Sequence, residues 1–175
     1  MTNTLIPFVE FNTRVRDDSI TGNNPFKWEK IDSLKLFRNK KVILFSLPGA
    51  FTPTCSTYQL PNFNKLYSEF KDHGIDEIYC ISVNDSFVMN AWAKHHNIGN
   101  IKVLPDGNGE FTRKMGMLVK KENLTFGMRS WRYALLINDC KIEAQFIEPG
   151  FGDNIENDPY GESSPENILK YLKNN

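Results

Sequence analysis

Hydrophobic and polar positions change period several times along the chain, and each change marks an element. Residues 8–14 alternate, with Phe8, Glu10, Asn12 and Arg14 against Val9, Phe11 and Thr13, and a second aromatic patch at Phe26-Lys27-Trp28 follows Gly22-Asn23-Asn24-Pro25. A period of two interrupted by turn residues predicts an N-terminal β-hairpin. Residues 41–47 are almost continuously apolar, the pattern of a strand covered on both faces, and Pro48-Gly49 ends it. Leu60, Phe63, Leu66, Tyr67 and Phe70 then recur at three- and four-residue steps up to His73-Gly74. That spacing predicts an amphipathic helix with a glycine stop, in which Pro61 should force a kink or split off the first turn.

Residues 78–83 read as a second buried strand, 87–95 as a second helix, and 101–104 as a third strand closed by Pro105-Asp106-Gly107. Residues 131–138 and 141–146 flank the two-residue connection Asp139-Cys140, as in a β-hairpin. Residues 150–164, rich in Gly, Asn, Asp and Pro, read as one long surface loop. A last helix is expected over 164–172, with Ser164 as N-cap and Pro165 at its first position. Parallel β-α-β units followed by a hairpin and a terminal helix predict an α/β, thioredoxin-like fold with an N-terminal β-hairpin extension. Its 175 residues, without repeat or linker, predict a single domain over 1–175.

Twenty-one basic and 21 acidic residues balance to a net charge of zero, which gives no global pull toward nucleic acid or an anionic membrane. The longest apolar stretch falls far short of the ~20 residues that span a bilayer. The first residues carry no basic flank leading into an apolar segment, so the cytoplasm is the expected compartment. Three cysteines, Cys55, Cys80 and Cys140, are too few and too widely spaced for a disulfide framework or a four-ligand zinc site.

Candidate chemistry concentrates at residues 47–56, a strand end, a turn and a helix start with Thr52 as N-cap and Pro53 after it. Cys55 falls in the first helical turn, where free N–H groups and the helix dipole favour a thiolate over a thiol. The bland alternative is a small buried residue. Arg129 and Arg132, three apart on a predicted strand, should face opposite ways, so only one should point at Cys55. Adjacent His95 and His96 point about 100° apart and do not form the pair that zinc favours. Asp106-x-Asn108-x-Glu110 is better explained as a strand-to-helix turn than as a calcium loop, because Phe111 stands where the glycine belongs.

Pro48, Thr52 and Cys55 match the pattern Pro-x-x-x-Thr-x-x-Cys, and with residues 81–85, 106–112, 115–119 and 126–133 the chain resembles the peroxiredoxins. The resemblance is to the subgroup of animal peroxiredoxin five, plant type II enzymes and bacterial peroxiredoxin-glutaredoxin hybrids. It implies a thiol peroxidase that needs no metal or organic cofactor. Cys55 would be the peroxidatic nucleophile, with Thr52 hydrogen-bonding the peroxide, Pro48 shielding the thiolate, Arg132 holding it and Arg129 orienting its neighbours. Animal members carry a resolving cysteine in the loop after a Glu-Pro pair, but no cysteine follows Glu148-Pro149 here. Hybrid enzymes carry a glutaredoxin domain that this chain lacks, so glutathione with a glutaredoxin acting in trans is the expected reductant. The alternative is a thioredoxin-regenerated enzyme with Cys80 as resolving cysteine, although Cys80 lies in a predicted buried strand. Cys140, in a hairpin turn, is expected to be an exposed bystander. The resemblance also implies a homodimer near Phe51 and residues 84–87. A disulfide oxidoreductase is disfavoured by the lack of Cys-x-x-Cys, and a non-catalytic binding module on the same fold remains the other class.

Overall fold

The computed structural model describes residues 4–175. After β1 (Thr4–Leu5), β2 (Glu10–Arg16) and β3 (Phe26–Asp32) form the predicted hairpin, in register from Glu10 opposite Asp32 to Arg16 opposite Phe26. The Asp32 carboxylate accepts from the Lys35 N–H at 2.7 Å and so caps a short α1 (Ser33–Phe37), which precedes β4 (Lys41–Ser46). A π-helical turn (Cys55–Gln59) runs into α2 (Leu60–Lys65) and α3 (Tyr67–Asp72). The kink expected at Pro61 takes this form: proline lacks an N–H, and the Leu60 N–H just before it reaches back five residues to the Cys55 carbonyl. Then follow β5 (Glu77–Ser82), α4 (Ser86–His95), β6 (Lys102–Pro105), α5 (Glu110–Lys114), β7 (Leu118–Lys120), a 3₁₀ turn (Glu122–Leu124), β8 (Met128–Ser130), β9 (Tyr133–Asn138), β10 (Lys141–Ile147) and α6 (Pro165–Asn174).

Six strands form one sheet in the order β1-β10-β9-β4-β5-β6, with β4, β5 and β6 parallel and β9 antiparallel to β4. Because successive strand residues face opposite sides, Val42 and Leu44 enter one core with Phe11, Phe37 and Phe111, while Ile43 and Phe45 enter the other with Phe63, Phe70 and Trp92. The result is a thioredoxin-like α/β fold with an N-terminal β-hairpin extension. The hairpin is tied to α4 by the Ser86 hydroxyl, which donates to the Asn12 carbonyl at 2.8 Å. No described helix is long and apolar enough to cross a membrane.

Two local expectations need correction. The strand expected over 131–138 begins only at Tyr133: the preceding β8 pairs with β7 in a separate ribbon, and Trp131 and Arg132 lie between β8 and β9. Cys140 is 8% exposed, not a surface bystander. Asp139 and Cys140 do form a tight turn with both φ values positive, but α1 and the chain after β1 cover it. The Ile6 N–H donates to the Cys140 carbonyl at 3.0 Å, and the Cys140 thiol lies 3.5 Å from the Leu34 carbonyl. Neither covering segment was anticipated.

The loop before α6 is ordered around a buried acid. Glu148 accepts from the N–H groups of Gly161 (2.9 Å), Glu162 (3.2 Å) and Ser163 (2.8 Å) and from the Ser163 hydroxyl (2.7 Å). Removing that carboxylate strands several buried donors, so Glu148→Ala is expected to cost about 3 kcal/mol or more. Urea unfolding checks this as a lower midpoint at unchanged slope.

Candidate active site

The carboxyl ends of parallel strands are where an open α/β sheet leaves room for a site, and β4 ends in the segment singled out from the sequence. Beyond it the chain makes a tight turn. The Ala50 N–H donates to Asn84 Oδ1 at 3.0 Å, and the Ser82 hydroxyl donates to the same oxygen at 2.7 Å. Phe51 takes a φ of 62°, a left-handed conformation costly for a side chain of its kind. Gly49 is required by close approach, since a Cβ there would stand 2.9 Å from Arg129 Nη1.

The helix starts at Pro53, and the Ser56 N–H donates to the Thr52 carbonyl at 3.0 Å, so Thr52 holds the N-cap position. Its hydroxyl does not cap. Folding of the turn brings the Gly49 carbonyl within reach, and the hydroxyl donates to it at 2.6 Å. With its proton so engaged, the Thr52 oxygen is left to accept a hydrogen bond from another group.

Cys55 is completely buried. Arg132 Nη1 lies 3.4 Å from Cys55 Sγ and also donates to Gln59 Oε1, while Nη2 donates to Asp158 at 2.5 Å. The Tyr160 ring lies 5.8 Å from the guanidinium. Arg132 is 1% exposed, and its Nε has no partner among the described residues. Burial works against the charge, but Cys55 and Asp158 outweigh it and hold Arg132 above the ordinary guanidinium range.

Arg129 does not contact the sulfur. It donates to the carbonyls of Phe126 (3.0 Å) and Val83 (3.2 Å) and braces the turn at Gly49. Burial lowers it, and Cys55 works in the opposite direction. Pro48 is buried and lines a cleft of about 310 Å³ together with Thr52, Pro53, Leu124, Phe126 and Asp158. Cys80 is fully buried in β5, where burial above all, and Cys55 after it, push its thiol far up.

Three residues that touch this site were not picked out from the sequence. Gln59 had a readable signal, for it stands four residues after Cys55 on the same helical face and is a polar residue among core positions. Asp158 and Tyr160 had none, because they belong to a loop whose path depends on distant anchors. Asn84 stood within a matched motif and in the segment expected at a dimer contact, with no role at this site.

A buried cysteine at a helix start, facing an arginine and backed by a thioredoxin-like sheet, defines a redox thiol protein. The family described as Redoxin matches residues 28–158. A peroxiredoxin of Rhizobium etli is 64% identical over 168 residues, covering 96% of this chain and 94% of that protein. The hybrid peroxiredoxin hyPrx5 of Haemophilus influenzae is 50% identical over 167 residues, covering 95% of this chain and 64% of that protein. Among solved structures, the Plasmodium falciparum antioxidant protein, a 1-Cys peroxiredoxin, matches with a TM-score of 0.92 and 42% identity over 99% of both chains. The chain belongs to the peroxiredoxin family and is a thiol peroxidase.

Proposed function

We propose that Cys55 is the peroxidatic cysteine, that it reduces hydrogen peroxide and alkyl hydroperoxides, and that glutathione with a glutaredoxin regenerates it. The observation that carries this reading is the 3.4 Å approach of Arg132 Nη1 to Cys55 Sγ, with the cysteine itself fully buried. The thiolate attacks one peroxide oxygen, the S–O bond forms as the O–O bond breaks, and the departing oxygen leaves as hydroxide or alkoxide that takes up a proton. Arg132 stabilises the thiolate and the charge growing on the departing oxygen, for which its unpartnered Nε–H is the available donor. Thr52, its own proton held by Gly49, accepts from the peroxide O–H. Pro48 keeps water from the sulfur, and Arg129 acts indirectly, through the turn at Gly49.

The product is a sulfenic acid on Cys55, and the other two cysteines are poor partners for it. Cys80 is buried with its thiol held protonated, the unreactive form. Cys140 lies at the far end of β9 from Arg132, roughly 20 Å away at strand rise. An external thiol therefore condenses with the sulfenic acid, releasing water and leaving a mixed disulfide. A second glutathione, delivered through glutaredoxin, restores the thiolate and leaves as glutathione disulfide. Since Cys55 is wholly covered, glutathione reaches it only when the first helical turn opens, and the π-helical turn beside strained Phe51 is the segment suited to yield.

Likeness to hyPrx5 supports placing the chain in the subgroup of animal peroxiredoxin five, plant type II and hybrid enzymes. We assign it to the glutathione-rich cytoplasm. For assembly, exposed Phe51 and Phe87 support a homodimer meeting at these residues and at 84–87. Mass spectrometry tests the cycle. After one equivalent of peroxide and then glutathione, the Cys55 peptide is expected to gain one glutathione, in wild type and in a Cys80→Ser, Cys140→Ser double variant alike. A Cys55–Cys80 disulfide in the wild type, with turnover lost in the double variant, would instead make Cys80 the resolving residue and thioredoxin the reductant.

A further inference from the structure

The loop between β10 and α6 crosses the site between two anchors. Its far end is gathered by the buried Glu148 carboxylate at residues 161–163. Its middle is clamped to the ribbon of β7 and the 3₁₀ turn. There Asp153 accepts from the Lys120 N–H at 2.8 Å, Asn154 Oδ1 accepts from the Glu122 N–H at 2.8 Å, and buried Lys121 donates to the Ile155 carbonyl at 3.2 Å. Between the anchors, Asp158 and Tyr160 are laid against Arg132.

The charge arithmetic of this contact is informative. Asp158 is an anion on a guanidinium whose work is to stabilise another anion, so its charge alone opposes the Cys55 thiolate. What it supplies instead is geometry. A guanidinium is a rigid plane, and fixing Nη2 on a carboxylate fixes where Nη1 and Nε point. Gln59 holds Nη1 from the helix side, and Asp158 holds Nη2 from the loop side.

We propose that Asp158 is a positioning residue, which aims Arg132 at the sulfur and the peroxide and gives up part of the positive potential there in exchange. The proposal rests on Cys55 as the peroxidatic thiol. The titratable and charged groups facing Cys55 are Arg132 from the link between β8 and β9, Arg129 from β8 and Cys80 from β5; those facing Arg132 from the loop are Asp158 and Tyr160, with Glu148 beyond.

The test compares Asp158→Ala, Asp158→Asn and Asp158→Glu by stopped-flow oxidation of the full chain with hydrogen peroxide across pH, with thermal unfolding as control. The Trp92 indole, which donates to the Ser56 hydroxyl at 3.0 Å beside Cys55, is a built-in fluorescence reporter. On the alkaline plateau, where ionisation no longer limits the rate, Asp158→Ala is expected to lose about tenfold or more. Asp158→Asn keeps an acceptor oxygen in place and is expected to recover most of that loss. Asp158→Glu keeps the charge but displaces the carboxylate by a methylene, and is expected to be slower than Asp158→Asn. The acid limb of the rate profile is expected at lower pH in Asp158→Asn than in wild type. An Asp158→Ala rate equal to wild type, or Asp158→Asn slower than Asp158→Glu, overturns the proposal. Should the alanine variant fail to fold, the Asn-against-Glu order alone decides. Failure of the underlying reading shows separately, as peroxide turnover by Cys55→Ser.

Discussion

Cys55→Ser is expected to bring peroxide consumption to background, a loss on the order of a thousandfold or more, while the protein still folds. The substitution exchanges sulfur for a smaller oxygen in a fully buried position, so packing against Leu47 and Leu60 in the same core changes little. Chemistry changes completely: a serine hydroxyl does not ionise near neutral pH, and Arg132 would then face a neutral group. Arg132 keeps its bonds to Gln59 and Asp158, which holds the site together in the variant. Peroxide loss and circular dichroism on the same samples separate a chemical defect from a folding defect. Turnover near the wild-type rate in a folded Cys55→Ser protein would overturn the assignment of the nucleophile.

The sheet was legible because its strands carry the burial in their own letters. The apolar run of β4 could only be a strand covered twice, and the Ser164-Pro165 pair announced α6, whose cap the structure shows as Ser164 Oγ accepting from the Asn167 N–H at 3.3 Å. Elements held by partners distant in sequence were not legible. α1 is five residues long and β7 and β8 are three each, too short for a period to show, and each exists because a neighbour completes it. Cys140 was misjudged for the same reason, since what covers it comes from 106 residues earlier in the chain. At the site, Cys55, Thr52 and Pro48 lie within one eight-residue stretch whose helix-start chemistry speaks for itself. The two arginines were readable as residue types, but the strand alternation expected to separate them does not reach Arg132. The chain leaves β8 before Arg132, and both guanidiniums come to the Cys55 turn, Arg132 against the sulfur and Arg129 against Gly49.

That separation predicts unequal effects. Arg132→Met is expected to slow peroxide reduction by roughly a hundredfold or more, and Arg129→Met by roughly tenfold. Methionine keeps much of the length and apolar body of arginine in either place, so the comparison isolates the guanidinium. At Arg132 its loss removes the donor 3.4 Å from the sulfur and leaves Gln59 Oε1 without that donor in a closed site. On the proposed mechanism the attacking thiolate would lose the cation that stabilises it, and the departing oxygen would lose its donor in the transition state. Cys55 and Asp158 hold Arg132 above the ordinary guanidinium range, so it stays charged through neutral and mildly alkaline pH and the wild-type pH profile is not expected to report its titration. At Arg129 the loss frees the Phe126 and Val83 carbonyls and loosens the turn at Gly49, while the contact between Arg132 and the sulfur remains. Second-order rates with hydrogen peroxide, measured on the alkaline plateau for both variants, check the order. Equal losses, or the reverse order, would move the first-contact role from Arg132 to Arg129.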